Sequence, residues 1–434
     1  MTDRRDPIEA WLSSDVELMP PPPGTFDRVH RRARQRRTMK ALTAAAGAAV
    51  VIVGGIAVPQ VVGGFGTKSP PPTAQIKMTV EPKPKGPAPT VEIQGPPLSS
   101  SPAGPPPAPG FRPTSVTFIG SNVGAVLGVA GSCATPPCTA MAATHDYGKT
   151  WSEIAAPPAG PANGSSGVSQ VRFLDFQDGW AYGPALYVTH DGGKSWRAVF
   201  THRGRVIDLS TVGRRAFAVV GFGCTGSGAY YATGCTRFTL FSTSASKNEW
   251  DAVPGASGAG QATSGALQLT SKGGYLLAGG RLYAGPVTAG AWHRASAASL
   301  PGCITAGPGG PQLIAPTASE LFLVCQDPGA SALTLYQATG RGSSWQRRGM
   351  VEAAGAAQSF AVAPSGTLVL ATTTGIYRSA GGHSWKPVLT KPAGGFSFVG
   401  MTSDSNGVAI AAGLRRDVFI TTDGGSTWQA RPIR

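Results

Sequence analysis

The sequence predicts an all-β protein, a β-propeller of seven four-stranded blades preceded by one transmembrane helix and a proline-rich stalk. Three observations lead to this prediction. Nearly the same octet occurs three times, as THDYGKTW (144–151), THDGGKSW (189–196) and TTDGGSTW (421–428). From position 151 onward, tryptophans recur at intervals of 40 to 54 residues, within the range of propeller blades. No helical periodicity of useful length follows Phe111.

The second repeat shows the pattern of one blade most clearly. The alternating run VRFLDF (171–176) is followed by a QDG turn and then by WAYG, ALYVTH, the octet and WRAVF. These are four short β-rich runs joined by tight turns, which predicts an antiparallel meander. The last repeat follows the same plan with FSFVGM, GVAIAAG, DVFITT and WQARPI.

Seven tryptophans mark the repeats, which predicts seven blades: Trp151, Trp196, Trp250, Trp292, Trp345, Trp385 and Trp428. Weaker octets precede three of them, with Ala245, Gly340 and Ala380 at the aspartate position. The copy before Trp292 is barely recognisable, which leaves six or eight blades open. Each repeat supplies its own four strands, so we expect the ring to close by packing of the first blade on the last. The alternative is a closing strand from TVEIQ (90–94).

The octets are interpreted as structural turns between the third and fourth strands. The aspartate can accept hydrogen bonds from its own turn, the glycines permit positive φ, and the tryptophan opens the outer strand and packs beneath the turn. No step of this account needs a substrate. The predicted structural positions are Thr144, Asp146, Gly148, Trp151, Thr189, Asp191, Gly193, Trp196, Thr421, Asp423, Gly425 and Trp428.

These octets resemble the Asp-box, or BNR-repeat, pattern S-x-D-x-G-x-T-W. The run FLDFQDGWAYGPALYVTHDGGKSW (173–196) is similar to blades of photosystem-assembly-factor-like proteins and of the wider sialidase-like superfamily. The resemblance covers residues 114–434 and implies a membrane-anchored bacterial propeller. It is a weak guide to function, because this fold hosts enzymes, receptors and scaffolds.

The resemblance also implies a test for catalysis. Sialidases use three arginines, a Tyr–Glu pair and an aspartic acid, and FRPT (111–114) matches their first arginine motif only partly, at Arg112. Glycoside hydrolysis normally needs two carboxyl groups. The four glutamates of the domain, Glu153, Glu249, Glu320 and Glu352, are expected away from the inner strands. We therefore expect no catalytic residues and favour a non-enzyme, with a sialidase-like glycosidase as the alternative.

Other site types find little support in the sequence. GFGCTG (221–226) fits a dinucleotide-binding glycine pattern, but no βαβ unit surrounds it, so a hairpin loop is predicted. The histidines show no metal-ligand spacing. We expect neither cofactor nor metal. The net charge of +15 is spread along the chain apart from the basic run at 31–37, and we interpret that run as a membrane flank rather than a nucleic-acid site.

The N-terminal part is predicted to anchor the protein. Residues 41–62 carry no charge and are long enough for a transmembrane helix. The basic run before them places residues 1–40 in the cytoplasm as a tail. Residues 63–113 are proline-rich, with 15 prolines from position 66 onward, and are predicted to form a disordered stalk. A cleaved signal peptide is the alternative to a retained anchor.

All six cysteines follow this stalk, and their even number suits an oxidising compartment. Proximity suggests the pairs Cys133–Cys138, Cys224–Cys235 and Cys303–Cys325, although fifteen pairings are possible. A zinc site is the less favoured alternative, because the sequence has no C-x-x-C pair and no nearby histidine cluster.

Together these observations predict a single-pass membrane protein with its N-terminus inside and its propeller outside. The expected function is binding or assembly of envelope partners, either a protein or a cell-envelope polymer, and not nucleic acid. The alternatives are a sialidase-like exo-glycosidase and a sensor that couples the propeller to a cytoplasmic partner.

Overall fold

The structure is a computed structural model, and the described residues all belong to the compact unit Thr73–Arg434. It describes residues 77–80, 104–120, 122–131, 138–163, 165–201, 203–225, 234–288, 290–295, 301, 311–326, 332–352, 354–390, 392–413 and 415–434. The predicted cytoplasmic tail (1–40), transmembrane helix (41–62) and closing strand (90–94) lie outside these residues, as do Cys133 and Cys303.

Seven four-stranded antiparallel sheets follow one another along the chain, which confirms the predicted all-β, seven-bladed propeller. A short strand, β1 (Lys77–Val80), precedes them. The strands of blades 1 to 3 are β2 (Arg112–Ile119), β3 (Val123–Ala130), β4 (Cys138–Thr144) and β5 (Ser152–Ile154); β6 (Gln170–Phe173), β7 (Gly179–Tyr182), β8 (Leu186–Thr189) and β9 (Arg197–Phe200); and β10 (Arg205–Val212), β11 (Arg215–Phe222), β12 (Arg237–Ser244) and β13 (Trp250–Ala259).

The remaining four blades have the same order of strands. They are β14 (Ala262–Thr270), β15 (Gly273–Ala278), β16 (Arg281–Gly285) and β17 (His293–Arg294); β18 (Gln312–Ile314), β19 (Leu321–Gln326), β20 (Leu333–Thr339) and β21 (Ser344–Val351); β22 (Ala357–Val362), β23 (Thr367–Thr372), β24 (Ile376–Ala380) and β25 (Lys386–Leu389); and β26 (Phe396–Met401), β27 (Gly407–Ala411), β28 (Asp417–Thr421) and β29 (Gln429–Pro432). A 3-10 turn, Gly340–Gly342, lies between β20 and β21.

The tryptophan spacing indicated the blades because every one of the seven tryptophans stands at the start of a fourth strand. Trp250 is the first residue of β13, and Trp196 immediately precedes β9. In blade 4, which has no recognisable octet, Trp292 still precedes β17 and is 1% exposed. The blade count therefore follows the tryptophans even where the octet is lost.

The core lies between the blades, because successive strand residues face opposite sides of a sheet. In β23, Leu368 and Leu370 pack toward blade 5, whereas Val369 and Ala371 pack toward blade 7. Both sets are fully buried. This is why the inner strands are apolar in continuous runs rather than in alternation.

The ring closes by packing of the first blade on the last, as expected. One cluster of buried side chains joins Val116 and Val126 of blade 1 to Val408, Ile410 and Ile420 of blade 7. Blade 1 and blade 7 each keep four strands from their own repeat. Closure therefore rests on side chains rather than on an exchanged strand.

The predicted stalk is partly wrong, because two pieces of residues 63–113 belong to the folded unit. β1 pairs antiparallel with β13 of blade 3 and with β9 of blade 2, and so joins the outer edges of two blades. Its sequence, KMTV, is free of proline, so its backbone can donate to both neighbours.

The second piece of the predicted stalk is the segment just before the first blade. The amide of Glu153 donates to Pro105, and the amide of Gly131 donates to Pro109. β2 begins at Arg112, two residues before the predicted boundary at 114. The part of the chain that the structure describes includes no helix with the length and hydrophobicity of a transmembrane segment.

Candidate functional site

The octet of blade 2 forms a closed hydrogen-bonded hairpin. The Thr189 hydroxyl donates to Asp191 Oδ1 at 2.8 Å and accepts from the Gly193 amide at 2.9 Å. Asp191 Oδ1 also accepts from the Ser195 amide at 2.9 Å, and its Oδ2 accepts from the Ser195 hydroxyl at 2.5 Å. The polar side chains of the octet thus bond to one another, and they position no group for chemistry on a ligand.

The octets of blades 1 and 7 contain the same threonine–aspartate and glycine–threonine hydrogen bonds. Thr144 donates to Asp146 at 2.9 Å, and Thr421 donates to Asp423 at 2.8 Å. The amides of Gly148 and Gly425 donate to the same threonine hydroxyls at 2.8 and 2.9 Å. All three octets are thus the same type of turn.

The hydrogen bonds also determine the charge state of the octet carboxylates. Burial alone would raise the pKa of Asp191, but hydrogen bonds from Ser195, Thr189 and the Lys194 amide stabilise the anion and lower the pKa below its ordinary value. The pKa values of Asp146 and Asp423 are lowered by the same balance. Each carboxylate is therefore ionised at neutral pH and cannot act as a general acid there.

In each octet the glycine three residues before the tryptophan lies against the preceding blade. A Cβ placed on Gly148 would lie 3.6 Å from Ile420 of blade 7, and one on Gly193 would lie 3.7 Å from Ile154 of blade 1. Gly193 and Gly425 have φ of 86° and 81°, which favours glycine. The octet therefore shapes the contact between two blades as well as the turn itself.

Octet 1 departs from the other two at Tyr147, where they carry glycine. Tyr147 has φ 59°, close to the 72° of Gly192 and the 71° of Gly424. Its hydroxyl lies 3.0 Å from Gly407 O and 3.3 Å from Thr421 O, both in blade 7. Burial raises the pKa of Tyr147 to about 12. This side chain connects the two blades that close the ring.

The cysteines are oxidised where the structure describes them. Cys224 and Cys235 form a disulfide within blade 3, as proximity predicted. Cys138 and Cys325 are also disulfide-bonded. Their predicted partners, Cys133 and Cys303, lie outside the described residues, so those two pairings stay predictions.

The first strands of all seven blades surround a central cavity of about 410 Å³. Four glutamines from blades 2, 4, 5 and 6 line it: Gln170, Gln268, Gln312 and Gln358. Hydroxyls of other first strands, the rings of Phe360 and Phe398, and aliphatic side chains such as Leu267 and Val399 also line it. Because amides both donate and accept hydrogen bonds, this wall suits a polar ligand.

One lining residue is acidic and one is basic among the described residues of this cavity. Asp208 is 7% exposed, and its two oxygens accept the amides of Leu209 (2.8 Å) and Leu267 (3.0 Å). Asp208 therefore joins blade 3 to blade 4. Arg172 lines the cavity with its Nε buried and without a hydrogen-bond partner.

Asp208 belongs to a repeated contact that sequence reasoning missed. It follows a β-bulge in β10, as Ser115 does in β2 and Ser359 in β22. Ser115 accepts from the Val171 amide of blade 2 at 3.1 Å, and Ser359 donates to Val399 O of blade 7 at 3.1 Å. Each of these side chains bonds to the next first strand. The only sequence signal was an acid inside the apolar run VIDL.

The four glutamates lie away from the cavity. Glu153 is on the outer strand of blade 1, and Glu249 and Glu352 are exposed next to outer strands. Glu320 accepts a hydrogen bond from Gln337. Arg112 begins β2 and does not line the cavity. Among the described residues, no group of three potential metal ligands is present.

His190, the residue before the aspartate in the blade 2 octet, joins two blades. Its Nδ1 lies 2.7 Å from Asp178 Oδ1, and its Nε2 lies 2.7 Å from Asn248 Oδ1 of blade 3. Arg214 of blade 3 lies 3.9 Å from Asp178. This cluster holds neighbouring blades together at the turn ends, and it faces no cavity described above.

Comparison with known proteins finds similar solved structures but no matching protein family and no curated relative. YCF48 from Cyanidioschyzon merolae is 13% identical, with 64% of this chain and 87% of YCF48 covered and a TM-score of 0.44.

Two other propellers are similar over a larger share of this chain. PorZ, a surface component of the type-IX secretion system of Porphyromonas gingivalis, is 13% identical over 76% of this chain, with a TM-score of 0.46. The extracellular domain of the two-component system BT4673 from B. thetaiotaomicron is 9% identical over 78%, with a TM-score of 0.44. The chain spans 39% of each of these two proteins.

Proposed function

We propose that this protein is a non-catalytic, membrane-anchored binding propeller on the outer side of the membrane. Its central cavity takes a polar group of an envelope partner, a protein or a cell-envelope polymer. The observation that carries the proposal is the lining of that cavity, where four glutamines face a space of about 410 Å³. Amide groups recognise a polar ligand by hydrogen bonds without supplying acid or base chemistry.

The use of Asp208 supports a binding role over a glycosidase. Hydrolysis of a glycoside normally requires two carboxyl groups near the bond that is cleaved. Asp208 is the one carboxylate among the described lining residues, and both of its oxygens accept backbone amides. A sialidase-like site would also need three converging arginines, whereas Arg172 is the single arginine that lines the described cavity.

Asp-box membership belongs to the same proposal. Its support is the shared hydrogen-bond pattern of the three octets, in which an aspartate and a threonine close each turn. The position of all seven tryptophans at the start of outer strands adds to it. On this view the octets are structural, and the ligand surface lies elsewhere.

An extracytoplasmic location is supported by the oxidised cysteines. None of the described cysteines is free, and disulfides persist mainly in oxidising compartments. The uncharged run at 41–62, preceded by basic residues, is the proposed anchor. Reporter fusions at both ends of the full chain test this topology. Alkaline phosphatase should be active when it is fused after residue 434. It should be inactive when it is fused in place of the residues before position 30.

The binding role is tested by photo-crosslinking in the native membrane. A photoreactive residue at Ser397, in the cavity wall, should capture an envelope partner that the same residue at exposed Lys194 does not capture. Replacement of Gln358 by alanine should reduce the yield at Ser397. Equal capture at both positions would argue against the cavity, and turnover of a fluorogenic sialoside by the purified protein would refute the non-catalytic assignment.

A further inference from the structure

A second cavity, of about 330 Å³, opens at the boundary between blades 4 and 5. Blade 4 contributes Lys272, Tyr275, Pro286 and His293, and blade 5 contributes Arg341 from its octet hairpin. No part of the proposed function uses this cavity, which lies on different elements from the first strands of the central one.

The lining of this second cavity includes three basic side chains. Lys272, His293 and Arg341 come from three separate elements and are all exposed. The described residues of the lining include no aspartate or glutamate. None of the three side chains forms an ion pair among the described residues. The cavity therefore concentrates positive charge without compensation, which attracts anions.

Arg341 adopts a backbone conformation that its residue type disfavours. Its φ and ψ are 60° and 36°, in the left-handed region where glycine is the usual residue. The equivalent positions in two intact octets are Gly192 and Gly424. In octet 1 the same strain places Tyr147 in buried contacts, whereas Arg341 has no such contacts. A strained residue without structural compensation indicates a functional role.

The walls of the cavity are held in place by buried side chains. The Trp292 ring packs directly against Gly285 of blade 4, and a Cβ at that position would lie 2.1 Å from the ring. The Trp292 indole donates to Pro286 O at 3.0 Å, and the Tyr275 hydroxyl donates to Ala318 O of blade 5. Arg341 and Tyr275 line the same cavity, and the positive charge of Arg341 opposes the rise in the Tyr275 pKa that burial causes.

We propose that this cavity binds a small phosphorylated ligand, with the phosphate held by Arg341, Lys272 and His293. Two cationic side chains and one imidazole, carried by three separate elements, provide hydrogen-bond donors for the three oxygens of a phosphate monoester, whereas a carboxylate has two oxygens. Arginine suits this role through its planar set of donors. The remaining volume accommodates a sugar-sized substituent against Pro286. The inference is independent of the membrane anchor and of the central cavity.

The test is a calorimetric titration of the full chain with glucose 6-phosphate, and with inorganic phosphate, glucose and acetate at equal ionic strength. Both phosphates should bind, glucose 6-phosphate more tightly, and glucose and acetate should not. Arg341→Gly should weaken phosphate binding about tenfold or more. Glycine is the residue of intact octets here, so this variant keeps the fold. The control Arg281→Gln removes an exposed arginine of blade 4 outside the lining and should change nothing.

Three outcomes would overturn the proposal. They are no binding of either phosphate by the parent protein at millimolar concentration, equal affinity in the Arg341→Gly and Arg281→Gln variants, and acetate binding as tight as phosphate. Lys272→Gln provides a second variant, and it should also weaken phosphate binding without lowering the melting temperature. Loss of crosslinking at Ser397 in the central cavity would leave this inference untouched.

Discussion

The hairpins of blades 2 and 6 occupy the same place in their blades but are stabilised differently. In blade 2, Asp191 accepts three hydrogen bonds from Thr189 and Ser195. In blade 6 the aspartate position holds Ala380, and the Ser379 hydroxyl accepts from the Gly382 amide at 2.9 Å. The aspartate is thus dispensable for forming the turn.

The two hairpins keep two other parts in common. Gly193 and Gly382 both have φ 86°, and both lie against the preceding blade, near Ile154 and Leu335 respectively. A tryptophan follows each at the start of the outer strand. The comparison shows that the glycine and the tryptophan define the architecture, because they contact neighbouring strands, whereas the aspartate stabilises only its own turn.

The largest effect is expected from a substitution in the octet of blade 1. Tyr147→Gly restores the glycine of the other octets, but it removes a buried ring and a hydroxyl that bonds to blade 7. Loss of the ring costs about 3–5 kcal/mol, and relief of the backbone strain offsets about 1–2 kcal/mol. We expect a net loss of about 1–4 kcal/mol in the free energy of unfolding, measured by urea denaturation of the full chain.

Tyr147→Phe is the matched control, since it keeps the ring and removes only the hydroxyl. Its expected cost is about 1 kcal/mol. If Tyr147→Gly were as stable as the parent protein, Tyr147 would have no part in closing the ring.

The fold could be predicted from the sequence, because its determinants are local. Each tryptophan lies next to its own turn, and a repeat of 40 to 54 residues is visible without any knowledge of contacts. The same reasoning could not find what joins the blades. Tyr147 bonds to residues 260 and 274 positions away, and His190 contacts Asn248 in the next blade.

β1 could not be predicted either, because its pairing partners belong to blades that follow much later in the sequence. Four residues in a proline-rich segment have little strand signal of their own, and the two edges that accept them lie in blades 2 and 3. The cavities could not be predicted from the sequence, because Gln170 and Gln358 line a common cavity only once the ring has closed. Sequence reasoning therefore found the turns and the blade count, and it missed the contacts between blades.

The second prediction concerns the aspartate itself. Asp191→Ala removes the acceptor of three hydrogen bonds and should cost about 1–3 kcal/mol. The loss should be local, so hydrogen exchange of the Ser195 amide should accelerate more than that of amides in β7.

The reciprocal change, Ala380→Asp, should gain less than about 0.5 kcal/mol. The blade 6 turn is built on Ser379, one residue closer to its glycine than Thr189 is in blade 2, so a carboxylate at 380 does not meet the same donors. A gain equal to the loss in Asp191→Ala would contradict the view that the two hairpins differ in register.

The third prediction uses Arg341, the blade 5 counterpart of Tyr147. Arg341→Gly relieves the left-handed strain, worth about 1–2 kcal/mol, and adds about 0.5–1 kcal/mol of chain entropy to be lost on folding. A net stabilisation of up to about 1.5 kcal/mol should follow. Gly192→Arg in blade 2 should destabilise by a similar amount, measured by the same denaturation. A less stable Arg341→Gly variant would mean that the arginine has structural contacts.

The smallest effect should be seen in acid. Hydrogen bonds hold the pKa values of Asp146, Asp191 and Asp423 below their ordinary range despite burial. A carboxylate with a depressed folded-state pKa contributes stability above its unfolded value, about 3.9, and loses that contribution as the pH falls through the folded value. The octet turns should therefore weaken only below about pH 4.

Hydrogen exchange between pH 5 and pH 2 distinguishes these turns from the blade 6 hairpin, after correction for the intrinsic pH dependence of exchange. Protection of the Ser195 and Thr427 amides should fall in this range, because Asp191 and Asp423 accept them. Protection of the Gly382 amide should stay constant, because its acceptor is the Ser379 hydroxyl, which does not titrate. Parallel loss at all three amides would indicate global acid unfolding and would remove the distinction between the two types of hairpin.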